Sequence, residues 1–363
     1  MYRNIIGYVT IEAYIRRHFM NISKETIERI TREMINTPSP VSYYEEIHPL
    51  LEKTAAEFGY TLTYDRKRTA YLSLTGENPS KTICVGAHLD TIGLMVRHIC
   101  SDGTLEVRNL GGINYNNVDG CCVNIHTREN KVYSGLLVCK AHSTHVFDDA
   151  RSMPREEKNM MVVLDAPVYS AQQVRELGIE HGDIVSIEPN YHFTSSGYIK
   201  SRFIDDKAAI GAVFAVLEAL QKEHKKPRYN TLFAFPLYEE IGHGGAYLPS
   251  EVEEYVALDI GLIGPDHTGS ECKVSICAKD NYTPYDRALT GKLIRLAKEH
   301  DINYSVDVFY HYGTDASAAV RAGNNVYAAA FGMGCFSSHG MERCHIQAVE
   351  ETAKLLYAYL TND

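Results

Sequence analysis

The sequence predicts an α/β fold, a central sheet flanked by helices with a small β module inserted in it. Three observations carry that reading. Amphipathic helical patterns and short apolar strands alternate before residue 94 and again after residue 195. Residues 94–195 change texture to short alternating strands separated by turn residues. Three of the apolar strands outside that region run straight into acids or a histidine, and a fourth leads to a histidine through a glycine-containing loop.

The elements follow in order. Residues 1–19 fit poorly with what comes after and read as an N-terminal extension. Met20 opens MNISKETIERITREMIN, where Ser23 can cap a helix whose apolar stripe is Ile27, Ile30 and Met34. A second helix is predicted from Tyr44 to Phe58, with Tyr44, Ile47, Leu51, Ala55 and Phe58 on one side. KTICVGAHLD is a short strand ending at His88. In the insertion, LMVRHIC–SDG–TLEVRNL and VNIHT–REN–KVYSGLLVCK read as strand pairs, because SDG and REN punctuate apolar runs. One brief helix is predicted around Ser170 to Leu177.

The α/β texture returns at Gly197. IDDKAAIGAVFAVLEALQKEH reads as a helix with Ile210, Val213, Phe214, Leu217 and Leu220 inward. NTLFAFPLYEE, EYVALDIGL and NNVYAAAFGMG read as buried strands. Helices are predicted over 285–300, 314–323 and 345–360. The organisation is therefore one α/β domain, residues 20–93 and 196–363, interrupted by a β insertion over 94–195.

Composition excludes several classes. The 363 residues are 45% hydrophobic, enough for a sizeable core. A net charge of −10 with both signs interspersed argues against a nucleic-acid surface. No apolar run is long enough to span a membrane. The N-terminal MYRNIIGYVTIEAYIRR is interrupted by Glu12 and lacks a small-residue cleavage site, so it is no secretory signal. Nine cysteines, with Cys84, Cys139 and Cys277 in apolar runs and no repeated C-x-x-C, read as buried reduced thiols of a cytoplasmic protein rather than a zinc–thiolate site.

The chemistry sits at strand ends. His88-Leu89-Asp90, Glu239-Glu240 and Asp259 close three apolar strands, and a fourth leads through GMGCFSS to His339. Open α/β sheets form sites beyond the carboxyl ends of their strands. Asp205-Asp206 opens a helix, where free amides and the dipole favour carboxylates. Taken singly, such groups are hydrogen-bonded structural residues, helix caps or solvated acids. Asp259 is harder to dismiss, because an acid between Leu258 and Ile260 in a buried strand needs a partner.

Together, two histidines and three carboxylates can hold two zinc-class ions with one carboxylate bridging. Asp90 can hydrogen-bond the other nitrogen of the His88 ring. Of two adjacent glutamates, one can ligate while its neighbour serves as general base. His345 is the main rival to His339, although it also stands at the start of the last helix. His311 reads as a loop or core histidine. Asp315 either approaches substrate or caps the helix that follows. GMG at 332–334 is too short for a nucleotide loop.

The chain resembles the M42 family of metallo-aminopeptidases, whose members include glutamyl aminopeptidase and the tetrahedral (TET) peptidases. The matching stretches are AHLDTIGLMV at 87–96, NLGGI at 109–113, LGIEHGDIV at 177–185 and SGYIKSRFIDDKA at 196–208. EEIGHGGA at 239–246, GTDA at 313–316 and the late His339 complete them, in order over about residues 20–360. The resemblance implies a zinc-peptidase-like central mixed sheet with a small β-barrel-like insertion acting as lid or dimerisation domain. It implies two divalent metal ions per subunit, zinc first with cobalt or manganese as alternatives, held by His88, Asp205, Glu240, Asp259 and His339 with Asp205 bridging. It implies Glu239 as general base toward a metal-bridging water and Asp90 as the orienting acid. It implies peptide substrates cut at a free N-terminus, and homo-oligomers extending to hollow tetrahedral dodecamers.

This sequence departs from the family pattern in places. Thr91 stands where Glu is usual, Lys207 where Arg is usual, and His243-Gly244 where Leu-Arg is usual. Gly340 follows His339 in place of Ser-Pro, and Glu342 sits one position early. No proposed ligand is lost, so these changes bear on substrate and metal preference. Three rival functions remain: another dinuclear amide hydrolase such as a deacylase or dipeptidase, a two-carboxylate glycoside hydrolase, and an inactive assembly protein.

Overall fold

Helix α1 (Lys24–Ile35) begins as its sequence predicts: the Ser23 hydroxyl accepts from the Thr26 amide at 3.1 Å, and Ile27, Ile30 and Met34 are buried. The structure is a computed structural model that describes residues 20–363, so the extension over 1–19 lies outside the described residues. Helix α2 (Ile47–Glu57) starts three residues later than the pattern suggested. The Tyr44 amide donates to the Glu45 carboxylate at 2.9 Å, and the Tyr43 hydroxyl donates to Glu46 at 2.9 Å. Such local side-chain bonds compete with the helical ladder.

Three strands follow, β1 (Thr63–Tyr64), β2 (Ala70–Leu74) and β3 (Asn78–Gly86). The chain then leaves for the barrel: β4 (Gly93–Ile99), β5 (Leu105–Leu110), β6 (Cys121–His126), β7 (Val132–Cys139), β8 (Met160–Leu164) and β9 (Ile184–Ile187). These close in the order β4-β5-β8-β7-β6-β9, with helix α3 (Ala171–Glu176) between β8 and β9. Closure removes free edges, and alternate residues such as Leu105, Val107, Val123, Ile125, Leu137 and Val162 fill the interior.

Strands β10 (His192–Phe193) and β11 (Tyr198–Ser201) return the chain to helix α4 (Ile204–Lys222). The remaining elements are β12 (Tyr229–Phe235), β13 (Val252–Leu258), β14 (Gly261–Leu262), β15 (Val274–Lys279), α5 (Arg287–Glu299), β16 (Tyr304–Val308), α6 (Asp315–Arg321), β17 (Tyr327–Cys335), β18 (Glu342–His345) and α7 (Ile346–Thr361). The main sheet has the order β1-β2-β12-β3-β13-β17-β15-β16, with β14 on β17. It is mixed, because β12, β3, β13 and β17 are parallel neighbours while β2 and β15 pair antiparallel to them.

Both faces of this sheet are covered, and the two-residue period of each strand sorts its side chains between two cores. Ile83, Val85, Val256, Leu258 and Phe331 join α1, α4, α5 and α7 on one face. Cys84, Tyr255, Ala257 and Ala330 join Ala316 and Ala319 of α6 on the other. Helix α4 is buried almost all round, packed by α1 and α7. Full burial of one large apolar side chain contributes about 1.5–3 kcal/mol.

Two differences from the sequence reading affect the site. EYVALDIGL is not one strand: the Asp259 carboxylate accepts the next amide, from Ile260, at 2.7 Å, and the ladder breaks there before β14. Asp205 and Asp206 carry non-helical backbone angles (φ/ψ −71/104° and −117/24°), so the regular helix begins at Lys207. The sequence reading also missed β15 and β16. The second is a short edge strand that buries Ser305 and Asp307 and turns Val306 and Val308 outward, so its apolar residues are on the wrong face for a buried strand.

Candidate active site

Because β3, β12, β13 and β17 are parallel, their carboxyl ends lie along one edge of the sheet. His88 follows β3, Glu239-Glu240 follow β12, Asp259 follows β13 and His339 follows β17. Asp205 arrives from the irregular start of α4. The structure brings all of these together. His88, Glu239 and Asp259 each offer an atom within 4.8 Å of the others, as do His88, Asp205 and Glu240. Gly332 lets β17 approach closely, since a Cβ there would lie 1.9 Å from the Asp259 carbonyl oxygen.

The hydrogen bonds assign the histidine faces. His88 Nδ1 is 2.9 Å from the Asp90 carbonyl oxygen, an acceptor, so Nδ1 carries the proton and Nε2 presents its lone pair to the cluster. His339 does the same: Nδ1 donates to the Gly112 carbonyl at 2.7 Å, leaving Nε2 free. Asp205 lies between the two rings. Its Oδ1 is 3.2 Å from His88 Nε2, and its Oδ2 is 3.7 Å from His339 Nε2. Glu240 Oε2 is 3.2 Å from His339 Nε2, and Glu239 Oε2 is 3.8 Å from His88 Nε2.

Asp90 does more than its sequence position suggested. The His88 Nδ1 is 2.9 Å from the Asp90 main-chain carbonyl and 3.5 Å from its carboxylate. That carboxylate also accepts the Glu239 and Glu240 amides, each at 3.1 Å. Asp90 is fully buried and thus ties the β3 end to the β12 end. Asp206 points a carboxylate oxygen at the His88 amide, at 3.2 Å.

Glu342 is the positioning residue that sequence reasoning missed. It is buried and accepts the Asp205 amide at 3.1 Å and the His339 amide at 3.0 Å. Its early position relative to the family pattern was the available signal. His339 has φ +60°, a left-handed conformation that costs a non-glycine residue about 1–3 kcal/mol. The Glu342 and Gly112 contacts hold it there, and Gly112 belongs to the segment between β5 and β6. His345, the rival, turns away: its Nδ1 accepts the Gln347 amide at the head of α7 and its Nε2 donates to the Ser196 carbonyl. Asp315 does not cap α6, since Thr314 does that. Its buried carboxylate accepts the Gly245 amide at 2.6 Å.

So many buried acids repel one another. Burial first, and then neighbouring carboxylates, push the Glu239 and Asp259 carboxyls well above the usual range. Burial also pushes Asp205 up, but His88, His339 and Ser338 together outweigh that and hold it low. Burial lowers His339, yet Glu240 and Asp205 lift it to about 10. These are signs of a cluster that wants cations. The donor set is imidazole nitrogen and carboxylate oxygen, which suits zinc, cobalt or manganese. The Asp206 Oδ1 atom has no partner among the described residues. Beside the cluster lies a cavity of ≈ 560 Å³ lined by Tyr282, His311, Tyr312, Ser317 and Arg321 as well as by the acids.

The model of the M42 glutamyl aminopeptidase family matches residues 69–355. A Bacillus subtilis (strain 168) protein named "Putative aminopeptidase YhfE" is 37% identical over 94% of this chain and 99% of its own. A lysyl aminopeptidase of Pyrococcus furiosus is 25% identical over 64% of this chain and 65% of its own. Among solved structures, an aminopeptidase of the archaeon Desulfurococcus kamchatkensis superposes with a TM-score of 0.82 at 21% identity, covering 93% of this chain and 95% of that one. The Pyrococcus horikoshii TET1 peptidase, described as assembling into a tetrahedron or a large octahedral shell, gives 0.80 at 22%, covering 93% and 100%. The two solved structures share the fold: a mixed sheet, flanking helices and a closed barrel. With the family model spanning most of the chain and one relative aligned nearly end to end, this protein belongs to the M42 family of glutamyl aminopeptidases.

Proposed function

We propose that this M42 aminopeptidase releases N-terminal residues from peptides at a centre for two divalent ions. One observation carries the reading: the two carboxylate oxygens of Asp205 turn to two different histidines, as a bridging ligand's must. His88 and Asp259 would complete one ion's set, and His339 and Glu240 the other's. When bound, the ions would supply Lewis acidity toward the scissile carbonyl and make the attacking water more acidic.

The chain's own residues do the rest. Glu239 also reaches His88 and Asp259, but His88, Asp205, Asp259, Glu240 and His339 would hold both ions without it, which frees it to take the proton of the attacking water and return it to the leaving amine. Asp90 fixes the turn that carries Glu239 and Glu240 through both their amides. Glu342 aligns Asp205 with His339. The cavity beyond Tyr312 is where the first side chain of the substrate would lie.

Metal content measured beside a panel of aminoacyl substrates tests this. Two ions per chain and hydrolysis of unblocked but not N-acetylated substrates are expected. Preference for acylated amino acids would identify a deacylase. Activity that survives complete chelation would favour a metal-free two-carboxylate mechanism instead.

The barrel, by the same reading, serves assembly or acts as a lid, with the chain forming a homo-oligomer. Its outer face exposes Val132, Leu136, Val163 and Tyr169. Light scattering should report a mass well above 40.7 kDa. A fully active monomer at micromolar concentration would sink that part of the reading. No helix among the described residues is long and apolar enough to cross a membrane.

A further inference from the structure

A second group of reactive side chains lies outside the metal cluster, where the barrel meets the main domain. Asn124 of β6 pairs directly with Ser186 of β9, and His126 stands two residues further along β6. All three therefore share one face of the barrel. Ser186 Oγ is 2.8 Å from His126 Nε2. His126 Nδ1 has no hydrogen-bond partner among the described residues, but Glu46 Oε1, at the head of α2, lies 3.3 Å from it, within ion-pair distance, so Glu46 acts on the ring through its charge. Glu46 is itself held by the Tyr43 hydroxyl, which donates to the same oxygen at 2.9 Å, and the Tyr43 ring lies 4.6 Å from the imidazole. Ser186 and His126 are both buried.

On the other side of Ser186 is a cavity of ≈ 360 Å³, which it lines together with Asn124, Ser39, Thr91, Asn190 and Tyr191. Serine thus stands between a cavity and an imidazole, with a carboxylate behind the imidazole. The carboxylate favours the tautomer with its proton on Nδ1, which leaves Nε2 free to accept from the hydroxyl. Nucleophile and base within hydrogen-bond reach, with a third group orienting the base, is the arrangement that activates a serine on unrelated folds. None of these residues belongs to the metal cluster.

We propose that Ser186 is an activated serine, with His126 as its base and Glu46 orienting His126, and that it accepts acyl groups from small esters entering the junction cavity. Ser186 Oγ attacks the ester carbonyl carbon as its proton passes to His126 Nε2. The carbon–alkoxy bond then breaks, and the alkoxide leaves as the alcohol with that proton. Water repeats the sequence on the acyl-serine, giving the carboxylic acid and restoring the hydroxyl. Asn124, the cross-strand partner of Ser186, lines the same cavity, and its side-chain amide is the donor this assignment gives to the oxyanion.

The test is run in the Glu239→Gln background of the metal-loaded protein, which silences the peptide centre, so failure of the aminopeptidase reading leaves this one legible. The probe is a fluorophosphonate, which forms a phosphorus–oxygen bond to serine and expels fluoride. Peptide mapping should find the adduct on Ser186. His126→Gln should slow labelling by at least about 100-fold, the usual contribution of a general base. Glu46→Gln should slow it by about 10-fold, as expected for an orienting group. An unlabelled Ser186, or a labelling rate unchanged in folded His126→Gln protein, overturns the assignment.

Discussion

The barrel interior and the carboxyl edge of the main sheet both bury side chains, yet they are filled with opposite materials. Leu105, Val107, Val123, Ile125 and Leu137 pack the barrel. Asp90, Asp205, Asp206 and Asp259 are buried at the sheet edge, with Glu239 and Glu240 partly exposed beside them. Apolar burial stabilises the first region without outside help. The second gathers like charges in a poor solvent for charge, which is unfavourable unless cations or protons join them. The fold thus keeps its strain where the chemistry is proposed and builds the adjoining module from ordinary packing.

The largest expected effect separates two neighbours at the strained edge. Glu239→Gln keeps shape and removes the proposed base, so both ions should stay while kcat falls by about 10²–10⁴ with little change in KM. Glu240→Gln weakens a proposed ligand of the His339 ion, so about one ion per chain should be lost and excess metal should partly restore activity. Metal analysis beside steady-state kinetics reads both. If Glu239→Gln lost metal and Glu240→Gln kept it, the roles would be exchanged.

The comparison breaks if the barrel behaves like the site. Leu137→Ala in the barrel should lower unfolding stability by about 2–5 kcal/mol. Metal content and kcat per folded molecule should hardly move. A large fall in kcat of the folded variant would mean that the barrel's packing reaches the chemistry, and the Gly112 carbonyl on His339 is the contact through which it would do so.

The members of the cluster were more legible in the sequence than the contacts that hold them. His88, Glu239-Glu240 and Asp259 were legible because each ends an apolar strand, a pattern contained within ten residues. The supports were not legible. The Asp90 carboxylate reaches amides 149 and 150 positions away, Glu342 reaches Asp205 over 137, and Gly112 reaches His339 over 227. Nothing local in the chain marks such contacts, since they exist only after the parallel strands align. β16 misleads in another way: it alternates, but its buried face is Ser305 and Asp307 and its valines are exposed.

Removing the ions should cost less than the core truncation at its upper limit, yet it sharpens the contrast. A ligand that binds only the folded state at a hundredfold excess over Kd contributes about 2.7 kcal/mol. Chelation should therefore lower the unfolding midpoint of the whole chain. Asp259→Asn, which removes one buried negative charge, should make that midpoint less sensitive to chelation. Thermal unfolding with and without chelator checks both statements, and a midpoint indifferent to chelation would refute the claim that the edge depends on cations.

The smallest effect concerns a buried ionisable group outside the acidic edge. His48 lies between the rings of Tyr44 and Tyr64, at centroid distances of 5.3 and 4.8 Å, and its Nε2 has no partner among the described residues. Burial holds its pKa below the ordinary histidine value, against the pull of Glu52. The folded state therefore keeps the ring neutral where the unfolded chain already binds a proton. The sign follows: this contribution is fully present above about pH 6.5 and is lost as pH falls from there through the lower folded-state pKa. The slope it adds cannot exceed about 1.4 kcal/mol per pH unit. His48→Phe keeps an aromatic ring between the tyrosines and removes the titration. Denaturant unfolding of both proteins between pH 5 and pH 8 should show a flatter acid limb for the variant. Parallel curves would mean that His48 is protonated as readily in the folded protein as out of it, and that burial, even with the Arg68 charge nearby, does not suffice to perturb this ring.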